Sequence, residues 1–135
     1  EHARFALPEV TLGIMPGFAG TQNMPRAVGV RRAKEFILTG VPTTAAEAHE
    51  WGLVNKVCPG NKLMEEALAT AGRIANNAPI ATRQAKKSIN LGTQIDIKTG
   101  YEFEIEAYNR MVSTDDRVEG IRAFNEKRKA HFCGK

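Results

Sequence analysis

Apolar residues recur every three or four positions through the second half of the chain: Leu63, Ala67, Ala71 and Ile74; then Ile80, Ala85 and Ile89; then Ile97, Tyr101, Ile105, Tyr108 and Val112; then Val118, Ile121 and Phe124. That spacing lines each set along one side of a helix. It predicts helices over Lys62–Asn76, Pro79–Leu91 and Asp96–Val112, and a last helix running from Ser113-Thr114-Asp115-Asp116 into Lys127-Arg128-Lys129. The punctuation agrees. Asn61 can cap the first, Pro79 opens the second with its φ already set, and Gly92 closes it. Hydroxyls and early acids suit the start of the last. Gly100 inside the third weakens it by about 1 kcal/mol of propensity. Arg83, Lys86, Lys87 and Asn90 share one helical face, read as a solvated surface.

The first part of the chain is patterned differently. Short apolar runs predict a strand over Arg4–Ala6 and another over Val10–Gly13, leading into a turn at Pro16-Gly17 where glycine supplies backbone freedom. A helix over Val30–Leu38 lies between Gly29 and Gly40, with Gly40 placed as a left-handed cap. Thr44-Ala45-Ala46-Glu47 has the spacing of a capping box. Gly52 ends that short helix before a strand over Leu53–Val57, and Trp51 at the junction is a packing residue. Cys58-Pro59-Gly60-Asn61 marks the one boundary. Residues 1–58 form a strand-bearing part and residues 59–135 a helical one, with no repeat or low-complexity tract.

Composition narrows the class. Among 135 residues, 42% are hydrophobic and 25% charged, and no apolar run approaches the ~20 residues that span a bilayer. A net charge of +4 is too small and dispersed to argue for nucleic acid. Cys58 and Cys133 lack ligand spacing and are expected as thiols in a reducing compartment. His2, His49 and His131 show no metal-binding or nucleophile-partner spacing, so no metal is expected.

One carboxylate stands out. Glu9 sits between Pro8 and Val10 in an apolar stretch that runs into Gly17-Phe18-Ala19-Gly20. Burying an unpaired charge costs several kcal/mol. Glu9 is therefore a solvent-facing strand residue, a buried partner of an arginine, or an acid/base group, and local pattern leaves the three open. The glycines lack the endings of a P-loop or a dinucleotide fingerprint and serve the turn.

The segment from Leu7 to Gln22, LPEVTLGIMPGFAGTQ, resembles the part of the enoyl-CoA hydratase (crotonase) family that carries its second catalytic glutamate, and Glu9 falls on that glutamate. The likeness continues through Arg26-Ala27-Val28-Gly29, Leu38-Thr39-Gly40, the stretch from Ala45 to Val57, and Ser113 to Lys129, so it covers nearly the whole chain. The resemblance implies an α/β fold: the C-terminal portion of a crotonase-like (ββα) superhelix, predominantly helical with a few short strands. Family members are about twice this length, and the chain looks like their C-terminal half.

Adding water to an enoyl thioester needs a base, an acid and donors for the developing oxyanion. The resemblance assigns Glu9 the protonation of the α-carbon, with Val10, Leu12 and Ile14 as its apolar surround. The first glutamate and both oxyanion donors are expected in the preceding half, so the chain alone should be inactive. Pro16, Gly17, Phe124 and Lys127 are assigned to substrate binding. Phe124 and Lys127 match positions near the adenine and phosphate end of CoA, contributed from a neighbouring subunit.

The resemblance implies no cofactor, a CoA thioester as substrate, a homo-oligomer (a trimer or a dimer of trimers), and a bacterial cytoplasm or mitochondrial matrix. Residues 1–58 would belong to the spiral core and 59–135 to an oligomerisation module. The family usually has Gly where Ala19 stands and Arg where Asn23 stands, with a polar residue often at Leu7. An enoyl-CoA isomerase or another acyl-CoA enzyme of the family is the near rival. A non-catalytic assembly or binding module is the rival of another class. Surfaces built to pack against absent strands predict large exposed apolar area.

Overall fold

The computed structural model describes residues 1–135 as two compact units, Glu1–Glu66 and Ala67–Lys135. In the first, β1 (Arg4–Phe5) pairs antiparallel with β2 (Thr43–Thr44), Arg4 opposite Thr44 and Phe5 opposite Thr43. Helices α1 (Gly20–Val28), α2 (Val30–Thr39) and α3 (Ala45–Glu50) complete it. The core joins Met24 of α1 to Ala33, Phe36 and Ile37 of α2, with Phe5, Leu7, Val10, Val28, Trp51 and Leu53 packed around them. Trp51 meets Phe36 edge-on at 6.1 Å between ring centroids, and the Arg32 guanidinium lies 5.9 Å over its ring. It is the packing residue expected.

Two strands expected here do not form. Glu9–Leu12 is a 3-10 turn. Pro8 enters it at φ −87° and ψ 10°, and the Pro8 carbonyl accepts both the Thr11 backbone N–H at 2.9 Å and the Thr11 hydroxyl at 2.7 Å. Gly13, at φ 76°, closes the turn in the left-handed region, and backbone bonds spent within a turn leave no ladder to pair. Leu53–Val57 is likewise not a strand: the Leu53 and Val54 N–H groups donate back to the Ala48 carbonyl at 2.8 and 3.3 Å.

Helix α1 had no counterpart among the expected elements. Nine residues starting at Gly20, with Pro25 inside, carry almost no local helix signal; burial of Met24 against α2 supplies what propensity does not. The α2 span matches its expectation within a residue. Gly40 caps it at φ 64°, its N–H donating to the Phe36 carbonyl at 3.2 Å. The capping box is complete: Glu47 N–H donates to Thr44 Oγ1 at 3.2 Å and Thr44 N–H to Glu47 Oε2 at 2.8 Å. The Thr44 N–H bond, then those from the Thr44 and Thr43 hydroxyls, hold the Glu47 carboxyl down at about 2.

Helix α4 (Leu63–Ala75) continues from the first unit into the second. The second unit then holds α5 (Pro79–Gly92), α6 (Ile97–Val112) and α7 (Asp115–Asn125), as the periodicity predicts. Asp96 caps α6 through Thr99 N–H at 3.1 Å, and Thr114 caps α7 through Arg117 N–H at 3.2 Å. A Cβ built on Gly100 would stand 4.0 Å from the Gly92 Cα, so this mid-helix glycine lies where the ends of α5 and α6 approach.

The apolar stripes are largely uncovered, as expected. Leu63, Met64, Leu68 and Ile74 of α4 are exposed, as are Ile97, Tyr101, Ile105 and Tyr108 of α6. No helix is long and apolar enough to cross a membrane.

Candidate active site

Glu9 begins the 3-10 turn. Its residue surface is only partly open, and Oε2 is sealed from solvent with no hydrogen-bond partner. Val10, partly buried, packs against the core cluster that includes Phe36, and the turn lies against α2. A dry oxygen without a donor is costly in a structural side chain and useful in one that exchanges a proton. No arginine pairs with Glu9, so the structural-partner alternative finds no support. The surround differs from the expected one: Val10 packs, whereas Leu12 and Ile14 are 76% and 61% exposed, because a 3-10 turn does not keep the alternation a strand would have given them.

Pro16 is buried, and Gly20 makes room for it. A Cβ on Gly20 would meet the Pro16 Cβ at 2.9 Å and Leu7 Cδ1 at 3.2 Å. Gly17 is exposed and does not occupy the left-handed region; that conformation falls instead on Ala19, at φ 64°, immediately before α1. The strained position of this turn is thus two residues beyond the glycine expected to absorb it, at the place where the resembling family usually has Gly. A cleft of about 440 Å³ opens between Phe5, Leu7, Asn23, Met24 and Phe36, and Glu9 is not among its lining residues.

Phe124 and Lys127 lie together at the end of α7. Phe124 is 82% exposed. Lys127 takes φ 53°, its N–H donates to the Phe124 carbonyl at 3.2 Å, and Arg128 N–H donates to the Ala123 carbonyl at 3.0 Å. This is a complete Schellman cap with lysine where glycine is usual. The neighbouring cation is already engaged. Arg128 grips Glu119 through Nη1 and Nη2 at 2.6 and 2.9 Å and Glu126 through Nε at 2.6 Å. The Arg128 bond, then the His131 backbone N–H, hold the Glu119 carboxyl at about 2, and the same pairing raises Arg128 further.

Two features of this end escaped sequence reasoning. Asp116, read as an early helix acid, is buried and accepts Cys133 N–H at 2.6 Å and Gly134 N–H at 2.9 Å, pinning the C-terminal residues to the start of α7. Glu119 does the same for His131 N–H at 2.9 Å. Neither role has a local signal, since the partners are 12 to 18 positions away. The structure contains no group of three or more His, Cys, Asp or Glu side chains able to hold a metal ion.

A family model described as enoyl-CoA hydratase/isomerase matches residues 1–135. The short-chain-enoyl-CoA hydratase of Clostridium acetobutylicum is 48% identical over 129 residues, 96% of this chain and 49% of that protein. The crotonyl-CoA hydratase of Syntrophomonas wolfei is 44% identical over 135 residues, 100% of this chain and 52% of that protein. The crystal structure of an enoyl-CoA hydratase from Bacillus anthracis superposes with a TM-score of 0.97 at 48% identity, covering 98% of this chain and 52% of that one. The chain spans about half the length of the curated relatives it matches. By fold, by sequence along its whole length and by the segment that carries Glu9, it belongs to the enoyl-CoA hydratase/isomerase family.

Proposed function

We propose that this chain supplies the proton-donating carboxylate of an enoyl-CoA hydratase and part of its CoA site. The observation that carries the reading is the Glu9 Oε2, sealed from solvent and without a partner on a 3-10 turn. In hydration, a hydroxyl adds to the β-carbon and a proton to the α-carbon of the enoyl thioester. Glu9 delivers that proton. The water-activating base and the oxyanion donors are to come from the rest of an assembled hydratase of the relatives' length. Proton transfers of this kind need no cofactor; the CoA thioester is the substrate.

Pro16 and Gly17 border the acyl group under this reading. Phe124 and Lys127 take the adenine and phosphate end of CoA across a subunit boundary. Phe124 offers an open aromatic face and Lys127 a cation without an ion-pair partner, while Arg128 is consumed by Glu119 and Glu126. The exposed stripe of α6 supports residues 59–135 as the module that assembles a trimer or a dimer of trimers. A bacterial cytoplasm or a mitochondrial matrix is the compartment that goes with this reading.

The test is Glu9→Gln in an assembled hydratase carrying these residues, assayed with a short enoyl-CoA. Loss of a general acid lowers kcat by about 10²- to 10⁴-fold. Near-normal turnover would refute the assignment.

A further inference from the structure

Gly40, the last-turn cap of α2, is buried against the turn that carries Glu9. A Cβ placed on Gly40 would stand 2.8 Å from the Thr11 Cγ2, 3.4 Å from the Pro8 Cα and 3.7 Å from the Val10 Cγ2. Real Cβ atoms do not approach within 3.0 Å of another heavy atom, so one of the partners would have to move. The Thr11 methyl can do so only at the cost of a hydrogen bond. Its rotamer is fixed by the hydroxyl, which donates to the Pro8 carbonyl at 2.7 Å, and the Thr11 N–H donates to the same oxygen at 2.9 Å. Val10, on the other side, is partly buried and packs against the core. The displacement would therefore pass into the backbone of Glu9–Leu12.

We infer that Gly40 is a positioning residue for Glu9: its missing side chain lets the end of α2 seat the 3-10 turn, and so sets where the Glu9 carboxyl stands. The inference rests on the proposed role of Glu9 as proton donor. A carboxyl moved by about 1 Å loses about 100-fold in rate, and the loss belongs to kcat, because Gly40 touches neither of the groups proposed to hold CoA.

Any alanine at Gly40 also carries the strain of a left-handed backbone, φ 64°. Gly52 separates the two effects, since it has φ 78° and nothing within 4 Å of a built Cβ. In an assembled hydratase carrying these residues, Gly40→Ala, Gly52→Ala, Glu9→Gln and the double variant Gly40→Ala with Thr11→Ser are compared for kcat, KM and thermal midpoint. Thr11→Ser keeps the hydroxyl bond to Pro8 and removes the colliding methyl. The expected result is that both glycine variants lose thermal stability, that only Gly40→Ala loses about 100-fold in kcat with KM kept, and that Thr11→Ser restores most of it.

A Gly40→Ala enzyme no slower than Gly52→Ala, or one that Thr11→Ser fails to rescue, overturns the inference. If Gly40→Ala does not fold, the double variant carries the test: wild-type-like kcat supports the inference and a slow enzyme overturns it. An inactive Glu9→Gln beside an unimpaired Gly40→Ala removes only the role of Gly40. An active Glu9→Gln removes the reading of Glu9 and the inference with it.

Discussion

The turn that carries Glu9 and the cap that carries Lys127 perform the same task by opposite means. Around Glu9 the backbone is held by exclusion: two glycines admit Pro16 and Thr11 at distances no side chain would allow, and Val10 anchors the turn in the core. Around Lys127 it is held by attraction. Arg128, Glu119 and Glu126 form a fork of ion pairs, and Asp116 and Glu119 collect backbone N–H groups from the last residues. The first design excludes water from one carboxyl oxygen; the second keeps its cation wet and available. A site held by shape responds to a methyl group and ignores salt, whereas one held by charge responds to salt and to strong acid.

The largest effect beyond those on turnover is expected at Asp116. Asp116→Ala leaves the Cys133 and Gly134 N–H groups without acceptors, and charged hydrogen bonds of this kind contribute about 1.5–3 kcal/mol. Chemical denaturation should show that loss, with amide exchange at residues 131–135 rising far above that of the Glu9 turn. If the two regions lost protection equally, the tail clamp would not be local.

Acid separates the regions next. Glu119 falls from its ordinary 4.5 to about 2 on folding, so its contribution is complete above about 4.5 and disappears as pH falls through 2. Amide exchange protection at His131 should follow that window. Glu47 falls to about 2 for the same kind of reason, and the start of α3 should fray over the same range. Raised salt should loosen the Glu119–Arg128 clamp and leave the Gly40–Thr11 contact unchanged.

The smallest effects come from the two side-chain-bearing residues in the left-handed region. Ala19→Gly and Lys127→Gly each relieve the Cβ crowding of that conformation, about 1 kcal/mol in the folded state, partly offset by the freer unfolded chain. Both should raise the thermal midpoint slightly. Only Lys127→Gly should weaken CoA binding in an assembled hydratase, and charge reversal at Lys127 should weaken it more. Unchanged CoA affinity in both would remove Lys127 from the site.

The same contrast explains what could be read along the chain. Helices α4 to α7 declare themselves through apolar spacing, and α6 and α7 also through the local caps Asp96 and Thr114; the expected cap Asn61 lies instead inside a 3-10 turn, Gly60–Lys62. The capping box of α3 and the glycine cap of α2 are equally local. Residues 10–13 and 53–57 are expected as strands because short apolar runs carry no period that distinguishes a strand from a buried turn. Their shape is decided by Pro8, Gly13 and the end of α3. Helix α1 was invisible for a related reason: Gly20 serves a close approach to Pro16, and Pro25 is tolerated because Met24 is buried. Of the candidate site, Glu9, Pro16, Gly17, Phe124 and Lys127 are assigned by resemblance. Gly40 as a support and Asp116 as a tail anchor needed the structure, since what each touches is far along the chain.

Under the proposed function, Glu9 places the proton on the α-carbon. The direct test is a single turnover of a short enoyl-CoA in D₂O by an assembled hydratase carrying these residues, reading deuterium at the α-carbon. Delivery to one face is expected of the wild type and, for Glu9→Gln, a rate of deuteration lower by about 10²-fold or more. Deuteration of the same face at the wild-type rate by Glu9→Gln would contradict it.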